Sequence, residues 1–342
     1  MISTNNSTIK RRPFRSALFY CVLLIYFDLA WSQFLPHRPI ESLLSNGVTQ
    51  IYAKYDLYAA NDFISLKELN NIAKENFNPN PGGYSPQAGA NHVLVQSYLD
   101  LGFVKQDSTY SLIHRFEGYI NASEGMTQLA YANKIGKRIP NGTVLDLHAQ
   151  ILEHSFLGLK WGHRIYQFSE GSHHLEVLGS LSFLYGTQFR DLNGGGALRS
   201  TGLNYFYDAQ LSEYNSKMRY PYISNATAYG KGFSSDFNIK YEHEVLGSLS
   251  LFANDIINKI NWFGLPYSTS TIISQKAQFS PSGYLIFLPT LSGQNDLNRR
   301  QYSEKLPMLK TWAYAKDFKS LGYSFGWQDY LDIRMPYAGL SW

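Results

Sequence analysis

Long segments of this sequence alternate apolar and polar side chains with a period of two, which is the period of an extended strand. Between residues 176 and 190, for example, Val177 and Phe183 fall on one face, and Glu176 and Ser182 fall on the other. Several of these segments run past ten residues, whereas strands of globular proteins are most often about 5 to 6 residues long. The chain is therefore restricted to long strands whose two faces meet different surroundings.

The same alternation recurs along most of the sequence. It predicts strands over residues 51–57, 93–104, 110–120, 143–152, 157–165, 176–190, 203–212, 233–242, 281–290, 308–318 and 321–328. The run from Asn193 to Gly196 predicts the turn between two of these strands. Helical spacing over Ile64–Glu75 and Met126–Lys134 predicts two short helices, which in a barrel would form loops or an inward plug.

The scarcity of charge narrows the fold class. Charged residues make up 16% of the chain, against about 25% in soluble domains. A soluble antiparallel sandwich alternates with the same period, but its solvent face would be rich in Lys and Glu. Here Gly, Ser, Asn and Gln dominate the polar face. We therefore expect an all-β chain that forms a single transmembrane antiparallel up-and-down β-barrel of about 12 strands, within a range of about 10 to 14, with short helical loop or plug insertions.

The first residues have the pattern of a secretory signal peptide. The basic residues are Lys10, Arg11, Arg12 and Arg15. They precede the apolar run Ala17–Phe27, and small residues stand at Ala30 and Ser32. We expect residues 1–32 to be a signal peptide and residues 33–342 to be the barrel domain. The alternatives are a retained anchor, for which this run is shorter than the ~20 residues that span a bilayer, and a lipoprotein modified at Cys21.

The charge and the cysteine content limit the partners. Cys21 is the only cysteine, so the mature chain would have no disulfide and would depend on packing and backbone pairing. The whole chain has a net charge of +4, and loss of a segment with four basic residues and one acidic residue would leave +1. We predict no nucleic-acid partner. We also predict no cofactor.

The last eight residues, Met335 to Trp342, contain Ala338, Leu340 and Trp342 on one face of a strand. This pattern resembles the assembly signature of Gram-negative outer-membrane barrels, whose last strand ends in Phe or Trp and is bound by the insertion machinery. The resemblance implies a location in the bacterial outer membrane, contact with its lipid, and recognition by the barrel-insertion machinery through the C-terminal strand. It is also consistent with a partner in an envelope complex.

Ten charged residues fall on the polar face of the predicted strands. They are Lys54, Arg115, Glu117, Lys160, Arg164, Glu176, Asp208, Asp236, Lys240 and Glu242. On the lipid face, Lys or Arg at mid-depth would cost about 2 to 4 kcal/mol, so we expect these side chains to line the lumen. Because both signs occur, the lumen is either a weakly selective aqueous pore or an interior closed by ion pairs.

No strong catalytic or metal-binding motif is present. Glu153–Ser155 and Glu242–Glu244 each place a histidine beside a carboxylate, but neighbouring residues on a strand point to opposite faces. The same divergence argues against a metal site at His173 and His174, and we predict no catalytic and no metal-binding residue. Met335–Gly339 is similar to a Pro-Tyr-Ala-Gly stretch of outer-membrane lipid A deacylases, in which it lies well before the end of the chain.

These observations favour a passive channel or a transport barrel for small solutes or lipid. Two alternatives stay open. One is a non-conducting barrel that anchors, or forms part of, an envelope export or assembly complex. The other is an outer-membrane lipid hydrolase, which would use His154 or His243.

Overall fold

The computed structural model describes residues 49–62, 88–134, 137–201, 204–218, 228–274, 278–279, 285–286, 289–318, 321–331 and 333–341. The strands are β1 (Gln50–Asn61), β2 (Ala90–Lys105), β3 (Ser108–Ser123), β4 (Val144–Glu170), β5 (His173–Thr201), β6 (Asn204–Asn215), β7 (Tyr229–His243), β8 (Gly247–Ser274), β9 (Gln278–Phe279), β10 (Leu285–Ile286), β11 (Pro289–Glu304), β12 (Leu309–Phe318), β13 (Leu321–Tyr330) and β14 (Ile333–Ser341). One helix, α1 (Glu124–Lys134), occurs within these ranges. The prediction of a nearly all-β chain is therefore confirmed. The predicted helix Ile64–Glu75 and the predicted signal peptide, residues 1–32, lie outside the described residues.

Twelve of the strands form one sheet, in which hydrogen-bonded neighbours are antiparallel. β6 and β7 lie end to end between β5 and β8, since β6 pairs with residues 190–201 of β5 and β7 pairs with residues 173–186. In the same way, β11 and β12 share the other side of β8. The twelve strands thus occupy ten positions, and the chain follows these positions up and down across the sheet.

The two ends of the sheet differ in their connections. Short turns at residues 106–107, 171–172 and 244–246 join strands at one end, which we call the lower end. β1 begins and β14 finishes at this end, as their pairing with β2 and β13 requires. β4, β5 and β8 contain 27, 29 and 28 residues. At the opposite, upper end, β4 continues past β3, and β5, β6, β8 and β11 continue with it.

The sheet curls into a barrel around a closed core. Residues from β2, β3, β12, β13 and β14 form one buried cluster, which consists of Leu94, Tyr119, Leu309, Tyr330 and Met335. Tyr58 of β1 and Ile333 of β14 pack against it. The two outermost strands therefore meet through their side chains, and within the described residues no backbone ladder joins them.

The outward face of the barrel exposes many large apolar side chains, whereas the inward face buries polar groups beside its apolar clusters. On the outward face, the side chains of Leu159 and Phe183 are 63% and 61% exposed. On the inward face, Ser182 and Gln328 are buried. Other exposed apolar residues on the outward face are Leu101, Leu112, Leu157, Trp161, Tyr185, Phe237, Leu251, Phe325 and Trp327. A soluble sandwich would bury such side chains, so that alternative does not fit this structure.

β5 differs from the sequence prediction in two ways. The predicted turn, Asn193–Gly196, lies inside the strand, because Gly195 pairs with β4 on one side and with β6 on the other. The chain turns only after Thr201. Thr187 is an extra residue relative to β4 and forms a bulge, which reverses the alternation beyond it. Phe189 is therefore fully buried, although strict alternation assigns it to the outward face.

Helix α1 packs on the outside of the barrel at its upper end. Ser123 caps it, because its hydroxyl accepts a hydrogen bond from the backbone N–H of Met126 at 3.2 Å. The helix covers a cluster that contains Leu145, Leu147, Leu198, Tyr205 and Tyr207. Leu145 and Leu147 share the face of β4 that carries Leu157, so the helix is an outer decoration and not an inward plug. No helix among the described residues is long and apolar enough to cross a bilayer.

Candidate functional site

The centre of the barrel contains a buried group of charged side chains, which we call the interior network. At its core, Arg115 on β3 donates to Glu117 at 2.8 Å and to Asp255 of β8 at 2.8 Å. Arg115 and Glu117 are each 2% exposed and Asp255 is 1% exposed. A guanidinium group can satisfy two carboxylates in this way because its five N–H donors form a planar fork.

His154 of β4 extends the interior network to the opposite wall. Its Nε2 lies 2.9 Å from Glu117, and its Nδ1 lies 3.1 Å from Glu304 of β11. The indole N–H of Trp262 donates to the second carboxylate oxygen of Glu304 at 2.8 Å. The imidazole is therefore held between two acidic groups from different strands.

Two further groups complete the interior network. The hydroxyl of Tyr330, on β13, donates to Glu117 at 2.7 Å. Lys160 of β4 donates to Asp236 of β7 at 2.8 Å, and Asp236 accepts the backbone N–H of Asp255 at 3.1 Å. The network thus connects β3, β4, β7, β8, β11 and β13, which lie on different sides of the barrel.

Aromatic packing closes the space beside the interior network. Phe156, Phe189 and Trp262 are fully buried and belong to one apolar cluster. The Trp262 ring lies over Gly186 and Gly230, where an added Cβ would approach the ring to 2.3 and 2.9 Å. These two glycines leave the room that the indole needs. Ionic and aromatic side chains together fill the barrel at this level.

The residues predicted to line the lumen are distributed along the barrel. Arg115, Glu117, Lys160, Glu176 and Asp236 lie within the interior and are buried or nearly buried. Arg164 binds Glu176 at 2.6 Å and Asp107 at 2.7 Å, near the lower end. The remaining residues are Lys54, paired with Asp56 at 3.2 Å, Lys240, paired with Glu242 at 2.7 Å, and Asp208, which is exposed at the upper end.

The C-terminal residues lie on the outward face as far as they are described. Leu340 is 70% exposed, and Ala338 pairs with Phe325, another outward residue. Trp342 lies outside the described residues. The role of these residues in assembly stays a prediction.

The sequence did not identify the partners that hold the interior network together. Asp255 and Trp262 lie on β8, and Glu304 lies at the end of β11; the alternation predicted neither of these strands over those residues. Asp255 adopts a positive φ of 59° at a bulge opposite β7. The bulge turns both Asn254 and Asp255 inward, which breaks the pattern that sequence reasoning uses.

Neither His154 nor His243 is placed to act as a base on its neighbouring serine. His154 binds Glu117 and Glu304 inside the barrel, whereas Ser155 points to the other face. At the lower end, Ser172 lies 3.1 Å from Nε2 of His243. Nδ1 of this ring accepts the backbone N–H groups of Val245 and Leu246. In the neutral ring the proton is then on Nε2, so His243 donates to Ser172 and does not act as its base.

The described residues contain no group of three or more His, Cys, Asp or Glu side chains placed to hold a metal ion. His173 and His243 lie close together, with ring centroids 4.7 Å apart. Nδ1 of His173, however, is bonded to the hydroxyl of Tyr241 at 2.7 Å. These histidines therefore fit a hydrogen-bonded cluster at the lower end.

The inward face at the upper end forms an open cleft of about 760 Å³, which we call the upper cup. Its walls are β4, β5, β6 and β8. The lining side chains and glycines are His148, Asn193, Gly194, Gly195, Gly196, Ala197, Asp208, Ala209, Gln210, Leu211, Ser212, Tyr267, Thr269, Ser270 and Thr271. The upper cup lies above the closed core, where β4 continues past β3 and where β5, β6, β8 and β11 also continue.

Comparisons of the chain with protein-family models, with curated proteins and with solved structures find no match. The interior network and the upper cup are the two inward regions of the barrel from which a function can be inferred.

Proposed function

We propose that this protein is a non-conducting β-barrel of the bacterial outer membrane. The barrel would anchor the surface formed by its upper end in the membrane, as part of an envelope complex. The interior network carries this proposal. Arg115, Glu117 and His154 are each at most 2% exposed, and they meet partners from several sides of the barrel. The channel expected from the sequence would instead need a continuous water path between the strands that carry these side chains.

The outward face supports the membrane location. Large apolar side chains such as Leu159 and Phe183 are more than half exposed, and each gains about 1.5 to 3 kcal/mol when it is transferred out of water. Aromatic pairs also lie on this face, with Phe103 and Tyr110 at 5.3 Å and Trp312 and Trp327 at 4.5 Å. Lipid would cover the apolar residues, and the aromatic residues would lie near the headgroups.

The charge pattern inside the barrel favours the closed form over the pore. An isolated buried charge is costly, but a buried pair with all its hydrogen bonds is tolerated. Each charged member of the interior network has an oppositely charged partner or a hydrogen-bond donor within 3.1 Å. Opening a water path through this level would separate pairs that now satisfy one another.

In outer-membrane barrels the short turns face the periplasm and the longer loops face outward. If this protein follows that rule, its lower end faces the periplasm and the upper cup lies at the cell surface. The anchoring role then predicts a partner that a pull-down from envelope extracts would recover with the intact barrel.

Conductance across planar bilayers tests the proposal. The purified chain is first shown to be folded, because a closed barrel resists detergent until it is heated and then shifts in mobility on a denaturing gel. Folded protein inserted in the bilayer is expected to give no unitary openings, while a porin in the same lipid gives steady steps. Reproducible openings by the folded chain would overturn the closed interior, and failure to insert would overturn the membrane location.

A further inference from the structure

We propose that the upper cup is a binding site for a neutral saccharide. This inference goes beyond the sealed barrel, because it assigns a ligand to the open part of the inward face. The sealed core closes the lower side of the upper cup. A molecule that enters from above is therefore bound in the upper cup and does not pass through the barrel.

The hydrogen-bonding groups of the upper cup are mainly uncharged. Gln210 supplies an amide donor and acceptor, and Thr271 supplies a hydroxyl group. Asn193 donates to Asp191 at 2.8 Å, and Ser212 donates to the backbone carbonyl of Asn193 at 3.4 Å, so these two side chains offer their oxygens as acceptors. The four residues lie on neighbouring strands, because Ser212 is directly opposite Asn193 and Gln210 is directly opposite Thr271. A lattice of mixed donors and acceptors on adjacent strands matches a ligand that carries many hydroxyl groups, each of which both donates and accepts.

The charges of the upper cup argue against an anionic ligand. Among the described residues that line it, Asp208 and His148 are the only Asp, Glu, Lys, Arg or His side chains. A phosphate or sulfate group would find no Lys or Arg in that lining and would approach the Asp208 carboxylate. The chemistry therefore favours an uncharged polyhydroxyl ligand over a lipid headgroup or a sulfated glycan.

A series of aromatic rings leads from the sealed core to the upper cup. Trp262 packs on Phe189 at 5.0 Å, and Phe189 packs on Tyr302 at 5.2 Å. Tyr214 follows at 4.6 Å, and Tyr267, which lines the upper cup, lies 4.5 Å from Tyr214. Tyr267 is thus anchored from below. An aromatic ring fixed in this way offers an apolar surface to the C–H face of a sugar, as well as a polar hydroxyl.

Gly195, in the glycine run of β5, leaves an open position on the wall of the upper cup. Gly194 to Gly196 continue the strand without side chains, and a Cβ added at Gly195 would meet no atom closer than 4.0 Å. The space above Gly195 is therefore open, and a ligand can approach the backbone directly. A Cβ at Gly194 would instead meet the side chain of Leu211 at 3.1 Å, and one at Gly196 would clash with the backbone of Asp208 and Ala209. Packing therefore accounts for these two glycines, and Gly195 is the one of the three that is left open to a ligand.

Saturation-transfer NMR on the full-length folded protein tests this proposal. The probes are neutral hexasaccharides derived from glucan, mannan and galactan, a heparin-derived hexasaccharide, and a decapeptide of Gly, Ser and Asn. We expect at least one neutral hexasaccharide to bind. Gln210→Ala combined with Thr271→Val should weaken that binding about tenfold or more, since each change removes hydrogen bonds to the ligand.

Gln167→Ala is the matched control, because Gln167 lies at the lower end and far from the upper cup along β4. It should bind as the unmodified protein does. Binding of none of the neutral probes, binding that the double variant retains, or binding of only the heparin or peptide probe would each overturn the proposal. The gel-mobility test on the same samples separates this failure from a failure of the barrel itself. If the double variant does not fold, Thr271→Val alone, which conserves volume, takes its place.

Discussion

The interior network and the upper cup both lie on the inward face of the barrel and share the strands β4 and β8, yet their side chains differ. At the level of Arg115 and His154 the residues are charged, buried and paired across the barrel. At the level of Gln210 and Thr271 they are neutral and open. The difference follows from geometry, because opposing walls surround the lower level, whereas β3 and β12 do not continue to the upper level. The charged side chains of the interior network thus occur where partners on the opposite wall face them, whereas Asp208 in the upper cup is exposed.

This comparison separates two contributions of polar residues to the molecule. A buried ion pair seldom stabilises a protein more than a well-packed apolar pair would, but removal of one partner is costly because the other is left unpaired. Open polar groups keep their contact with water and cost little when they are changed. Substitutions in the two regions should therefore differ strongly in their effect on folding.

The largest effect is expected from Arg115→Ala. The change leaves the carboxylates of Glu117 and Asp255 buried beside one another without their shared cation, and we expect a loss of about 3 to 5 kcal/mol in the free energy of unfolding. Guanidinium unfolding in detergent micelles measures it. Arg190→Ala is the control, because its pair with Glu213 is 34% exposed on the arginine side and should contribute less than about 1 kcal/mol. Equal losses for the two variants would contradict the comparison.

A charge on the outward face should have the next largest effect. Leu159→Arg places a guanidinium group in the apolar band, and we expect it to destabilise the barrel in bilayers by about 2 to 4 kcal/mol. Val245→Arg is the control, since Val245 is similarly exposed, at 66%, but lies in a turn at the lower end. Its effect should stay below about 1 kcal/mol. If both variants behave alike in liposome unfolding, the apolar band does not face lipid.

Loss of the cap of helix α1 should reduce stability less than the two changes above. The Ser123 hydroxyl caps α1 and also accepts the backbone N–H of His148 at 3.0 Å. Ser123→Ala should therefore cost about 1 kcal/mol, the usual value for loss of a capping side chain. Hydrogen exchange of the α1 amides measures the change locally. Ser97→Ala, at a half-buried position of β2 where the hydroxyl donates to Tyr55 at 3.4 Å, serves as the control and should leave these amides unchanged.

The smallest effect on stability is expected in the upper cup. Gln210 lies on an exposed part of β6, so Gln210→Ala should change the free energy of unfolding by less than about 0.5 kcal/mol. Its effect on ligand binding should be large by comparison. A loss of stability as great as that of Arg115→Ala would mean that the upper cup belongs to the sealed core.

The sequence predicted the architecture better than the site. Alternation identified the cores of β2, β3, β5 and β7, and it divided β4 into two predicted strands because its polar middle has no strict pattern. It missed β8 because the bulge at Asp255 interrupts the period. Arg115, Glu117 and Lys160 were found from their charge on a polar face. Their partners were not, since Arg115 and Asp255 are 140 residues apart and alternation within a strand carries no information about the opposite wall.

The central claim is that the outward apolar band contacts lipid while the inward face is sealed. A mature chain without Cys21 would have no cysteine, so single cysteines can be introduced on that background and spin-labelled. For Leu112→Cys, Leu159→Cys and Phe183→Cys in liposomes, electron paramagnetic resonance should show frequent collisions with oxygen, which dissolves in lipid, and few with a water-soluble nickel chelate. Frequent collisions with the nickel chelate at all three positions would place the band in water and contradict the account.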